Sequence, residues 1–223
     1  MTMSSKIELR MLAWLIGAGL ASAAAPLAGH GASIALREFD TVLASKPDPA
    51  HGEILFKTCA NCHGQDGGGV PDGSVPAIAG QHFQVIAREL VDYRHDKRWD
   101  LRMQFFTDEH HLKSAQDIAD LATFVVDLPR SWKAGIGTGQ YAPHGAEVYA
   151  HLCASCHGTH GEGSDGQRVP SLAGQHFEYL LRQMHDAVEG RRPNFPAEHI
   201  RLLQPFERAD FVGVADFLSR AVP

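Results

Sequence analysis

Two short segments hold all four cysteines of the chain: Cys59-Ala60-Asn61-Cys62-His63 and Cys153-Ala154-Ser155-Cys156-His157. Two thiols spaced this way can form a redox disulfide, hold half of a zinc site, or add to the two vinyl groups of a haem. Only the last chemistry asks for a histidine directly after the second cysteine, because that imidazole then reaches the iron. Both segments therefore read as c-type haem attachment sites, with Cys59, Cys62, Cys153 and Cys156 as the linking residues. The cofactors expected are two covalently bound haem c groups.

The attachment segments recur with their surroundings, so the elements that position them are duplicated too. The step from Cys59 to Cys153 also carries Pro49 to Pro143, Pro76 to Pro170, Arg98 to Arg192, and Gly80-Gln81-His82-Phe83 onto Gly174-Gln175-His176-Phe177. Gly52 breaks the pattern, falling on Ala146, and near the end the step shortens by one residue, placing Asp117-Ile118 on Asp210-Phe211. Between the copies, Leu128-Pro129 through Gly135, Gly137, Gly139 and Pro143 is too rich in breakers for an element interior. The expected organisation is domain one at 33–130, a linker at 131–140 and domain two at 141–223. Each unit is small for a self-sufficient core, and an enclosed haem would complete it.

Each copy reads as three helices. Asp48-Pro49 and Ala142-Pro143 place proline in the first turn of a helix leading to the haem motif. Phe83, Ile86, Ala87, Leu90 and Val91, echoed by Phe177, Leu180, Leu181, Met184 and Val188, have helical spacing. A last helix follows Ser114, with Ile118, Leu121, Ala122 and Val125 on one face and Phe211, Val214, Ala215 and Leu218 as counterparts. No segment alternates as a strand would. The fold class expected is all-α: two tandem small domains, each wrapped around a covalently attached haem.

At the N-terminus, Lys6 and Arg10 precede an apolar run from Met11 to Leu20 and then small residues to Ala25. That order is the layout of a signal peptide, spanning 1–25, and the mature protein is expected in the periplasm. No later segment is apolar enough to span a bilayer, so membrane contact is expected only through partners. A formal net charge of -6 argues against nucleic acid as a ligand.

Taken together, the two Cys-x-x-Cys-His motifs, the Pro-x-x-Ala-Gly-Gln stretches at Pro76 and Pro170, and Asp-Ile-Ala-Asp-Leu at 117–121 resemble the di-haem class I cytochromes c of the c-four type. The resemblance covers nearly all of 45–223. It implies His63 and His157 as proximal ligands, with the Pro76 and Pro170 carbonyls accepting their imidazole N–H. It also implies a distal methionine between the second and third helices, which in domain one is Met103. Domain two has no methionine after Met184. The nearest capable side chain there is His199, giving bis-histidine coordination with His157. Against this, a local step from His110 to His199 also aligns Phe106 with Phe195 and Glu109 with Glu198, which would make His199 the copy of a histidine with no role. Met184, His185 and an open iron are the rivals. Arg98 and Arg192 are candidates to pair with haem propionates.

The function these features imply is single-electron transfer between redox partners: a quinol-oxidising complex, a terminal oxidase or a periplasmic dehydrogenase. Thioether ligation raises the potential relative to two imidazoles, so the first haem is expected above the second. The alternative is a haem enzyme of the peroxidase or thiosulfate dehydrogenase type, with domain two as the active centre. No third cysteine is present in either domain to serve as a sulfur ligand, which weakens the thiosulfate version.

Overall fold

Asp48 and Pro49 start the helix that carries the first pair of cysteines. The Asp48 carboxylate accepts from the Ala50 and His51 amides, and proline, which lacks an N–H, costs nothing in the first turn. Asp48→Ala is expected to cost about 1 kcal/mol, read as a lower denaturant midpoint for domain one. In this computed structural model, which describes residues 28–130 and 134–222, the helices are α1 (Ala28–Ala44), α2 (Pro49–His63), α3 (Phe83–Arg94), α4 (Leu101–Thr107) and α5 (Ala115–Asp127) in domain one. Domain two has α6 (Ala142–Leu152), α7 (Ala154–His157), α8 (Phe177–Val188), α9 (Ala197–Leu203) and α10 (Arg208–Arg220). Among the described residues there is no strand, only an isolated bridge between Ser164 and Val169. The expected signal peptide, 1–25, and residues 131–133 of the expected linker lie outside the described residues.

The helical spacing read in the sequence becomes the core. Ile118, Leu121, Ala122 and Val125 of α5 are buried together with Ala87, Leu90 and Val91 of α3. In domain two Val214, Ala215 and Leu218 of α10 close on Leu180 of α8 and Tyr149 of α6. Helix α1 and the short α4 and α9 were not anticipated. In α1, Ala35, Phe39 and Val42 recur at i, i+4 and i+7, and all three are buried against the first core. The arginine and histidine that end α3, Arg94 and His95, both bond to Glu38 of α1, fastening it from its polar edge.

The most extensive helix contacts are α2 with α5 and α6 with α10. At each crossing a glycine lets the backbones meet. A Cβ on Gly52 would fall 2.1 Å from the Asp120 carbonyl oxygen, and one on Gly145 would fall 1.8 Å from that of Gly213. The packing thus pairs Gly52 with Gly145, one residue earlier than the cysteine step implies. The same shorter step maps the Phe56–Phe124 ring contact onto Tyr149–Phe217, each at 5.2 Å between centroids. The second copy therefore has one extra residue between Tyr149 and Cys153. It is absorbed at Cys153, where the continuous α2 of domain one is replaced by α6, a turn, and α7. This interruption restores the cysteines to their place beside His157.

Candidate haem sites

The last turn of α2 presents Cys59, Cys62 and His63; the α6–α7 turn presents Cys153, Cys156 and His157. All four thiols are free, one of each pair half-buried and the other exposed. Burial pushes the Cys59 and Cys153 thiols up to about 11. Redox-active Cys-x-x-Cys pairs have the opposite tendency, so these pairs do not read as thiol–disulfide centres.

His63 and His157 are buried, and each places Nδ1 3.0 Å from a proline carbonyl, that of Pro76 and Pro170 respectively. A carbonyl only accepts, so Nδ1 carries the proton and donates, leaving the Nε2 lone pair able to bind a metal. Burial lowers both imidazoles below their ordinary range, more than the proline carbonyls raise them, so both stay neutral, the form that binds a metal.

Each domain also carries a short helix after the one that follows its haem motif. In α4, Asp100 caps the amides of Arg102 and Met103, and Met103 packs with Cys59 against the domain-one core. In domain two the matching helix is α9. Met103 is the third residue of α4 and His199 the third of α9, so the helices align these two residues and not His110 with His199. His110 is exposed, beyond the end of α4. The His199 ring centroid lies 6.0 Å from that of His157. With metal–imidazole bonds of about 2 Å, two imidazoles opposed across one metal have centroids about 6 Å apart. Phe195 stacks on His199 at 4.8 Å and 25°, holding the ring. Burial, and then the neighbouring His157, lower the His199 imidazole to about 4, keeping it neutral. The rival side chains are occupied in packing: His185 lies 4.6 Å from the Phe211 ring, and Met184 is set among the domain-two apolar clusters.

Between the domains, the repeated Gly-Gln-His-Phe segments form a reciprocal clamp. The Gln81 amide donates to the Ser171 carbonyl and accepts from the Ser171 N–H; Gln175 does the same with Ala77. His82 Nε2 meets the Glu162 carbonyl, and His176 Nε2 meets that of Gly68, both at 2.9 Å. Nearby, Arg98 and Arg192 bond to the two oxygens of Glu89, each at 2.6 Å. Burial opposes the Glu89 charge, but the two guanidinium groups outweigh it and hold its carboxyl at about 2. From the sequence, the repetition of His82 and His176 is explained by duplication as readily as by a role, Gln81 and Gln175 resemble family positions near the haem edge, and Glu89 is not singled out. The signal for the clamp was the repetition of a polar pair at a helix start.

Two sets of thiols, each beside a histidine with its second nitrogen fixed by a carbonyl, in an all-helical domain, fit two covalently bound haem c groups. The architecture is that of a di-haem c-type cytochrome. The cytochrome c family profile matches residues 49–129 and 142–218, and the chain belongs to that family, in its di-haem class I, c4 type. A cytochrome c4 of Pseudomonas aeruginosa is 29% identical over 153 residues, 66% of this chain and 74% of that protein. One of Azotobacter vinelandii is 30% identical over 164 residues, 66% of this chain and 75% of that protein. In fold, the chain matches reduced recombinant cytochrome c4 from Pseudomonas stutzeri with a TM-score of 0.71 at 24% identity, covering 79% of this chain and 100% of that one. The protein is a di-haem electron-transfer cytochrome with two covalently bound haem c groups.

Proposed function

We propose that the protein carries single electrons through two unequal haems in series, the first held by His63 and Met103 and the second by His157 and His199. The observation that carries this reading is the proximity of His157 and His199, with ring centroids 6.0 Å apart and His199 on the α9 residue that corresponds to Met103. When bound, each haem supplies an iron that gains or loses one electron. The chain does the rest. The Pro76 and Pro170 carbonyls hold the proton on Nδ1 of His63 and His157 and fix their orientation. The Asp100 cap fixes the backbone at Met103, and Phe195 fixes the His199 ring. Were His63, Met103, His157 and His199 to hold the two haems, no iron position would be left for a substrate, which favours a carrier over an enzyme.

The leader-like pattern at 1–25 supports export and action in the periplasm, and no described helix is long and apolar enough to cross a membrane. Redox partners of the kinds suited to this place are a quinol-oxidising complex, a terminal oxidase or a dehydrogenase. Low-temperature electron paramagnetic resonance with near-infrared dichroism on the oxidised protein, combined with redox titration, tests the axial pairs. The expected result is one histidine–methionine and one bis-histidine haem at two separate potentials, the first higher. Two equal potentials with a thioether-to-iron band from both haems would overturn it.

A further inference from the structure

The core of the domain interface is a quartet related by the internal repeat: Glu89 and Arg98 from domain one, Gln183 and Arg192 from domain two. Gln183 occupies the place equivalent to Glu89, and its amide oxygen accepts from Arg98 at 2.7 Å and from Arg192 at 3.0 Å. Two guanidinium groups are thus served by one carboxylate, that of Glu89, whose side chain is only 22% exposed. Each arginine leads to a different iron site. Arg98 lies two residues before Asp100, the cap of the helix bearing Met103. Arg192 places its guanidinium over the Phe195 ring, 4.5 Å from the centroid, and Phe195 stacks on His199. Asn194, between Arg192 and Phe195, donates to Glu89 and to Asp92 of domain one.

We propose that Glu89 is a positioning residue that ties together the segments bearing the two distal side chains, reaching Met103 through Arg98 and His199 through Arg192 and Phe195. The two iron sites are thereby mechanically and electrostatically linked across the interface. This inference rests on the reading of Met103 and His199 as the distal ligands. A salt bridge that served only to glue the domains would not act on both sites in this way. With Glu89 neutral, the carboxylate that offsets the two guanidinium groups is lost, and the added positive balance disfavours the ferric state.

The test is Glu89→Gln in the holoprotein, followed by redox titration and electron paramagnetic resonance. Both potentials should rise, and the signal of the second haem should shift as Phe195 and His199 relax. Restoring the carboxylate from the other domain, in the double variant Glu89→Gln with Gln183→Glu, should bring both potentials back towards those of the parent protein. If Glu89→Gln does not fold, Arg98→Lys and Arg192→Lys keep the charges while removing the fork and the stacking. Arg192→Lys should then shift the second-haem signal and Arg98→Lys the first. Parent-like potentials and spectra in all the single variants that fold, a change confined to one haem in Glu89→Gln, or failure of the double variant to restore the potentials would each overturn the inference. A parent protein lacking the bis-histidine signature would overturn the ligand reading itself, and is distinguishable because it is seen before any substitution.

Discussion

His199→Ala should convert the second haem from a closed, low-spin centre to an open, high-spin one that binds carbon monoxide. The expected stoichiometry is about one carbon monoxide per chain, against none for the parent protein, with the first haem unchanged. The reasoning is geometric. The two rival side chains are engaged elsewhere: Met184 is packed in the apolar clusters of domain two and His185 is held against Phe211. Loss of the imidazole also removes the ligand that favours the ferric state, so the potential of this haem should rise. Carbon monoxide titration followed in the visible spectrum reads the first effect, and redox titration the second. His110→Ala serves as the control, since His110 is exposed and far along the chain from either motif. Unchanged spectra in His199→Ala would place the distal ligand elsewhere.

Gly145→Ala should destabilise domain two by about 1–3 kcal/mol, the usual cost of overpacking a close contact. The sign is the informative part. A glycine in the middle of a helix is ordinarily worse than alanine by about 0.5–1 kcal/mol, so this substitution would be stabilising if α6 were free. Here the new methyl group would fall 1.8 Å from the Gly213 carbonyl oxygen, a backbone atom that moves only if the α6–α10 crossing opens. Chemical denaturation of the holoprotein, followed at the second haem, checks it. Gly166→Ala, where nothing lies within 4 Å, should leave the midpoint nearly unchanged.

Much of this was legible in the sequence where the cause is local. The haem motifs, the three amphipathic helices of each copy and the all-α class follow from spacing and side-chain type. The Pro76 and Pro170 carbonyls, expected on resemblance as imidazole acceptors, lie at hydrogen-bond distance from His63 and His157. What depended on register was read less well. A single step could not align both Gly52 with Gly145 and Cys59 with Cys153, because the extra residue between Tyr149 and Cys153 changes the step within one helix. Nor did linear alignment settle His199, whose correspondence to Met103 emerges only when α4 and α9 are set start to start. Helix α1 carries an apolar face in Ala35, Phe39 and Val42, but three positions at helical spacing are too few to mark a helix by themselves. The contacts of Gln81, His82 and Glu89 were out of reach for a different reason. Their partners across the interface lie about 80 or more residues away, and nothing in the local pattern names them.

The reciprocal clamp has the self-complementary geometry of a twofold homodimer, in which the same patch serves both partners. Joining the two halves in one chain turns an encounter that would depend on concentration into an intramolecular one, so the pairing holds even in dilute solution. It also frees the halves from identity. A true homodimer must carry the same residue at equivalent positions, whereas a fused one can hold methionine at 103 and histidine at 199 on an otherwise shared frame. With the ligands proposed above, covalent fusion would let one symmetric joint carry two haems of different potential.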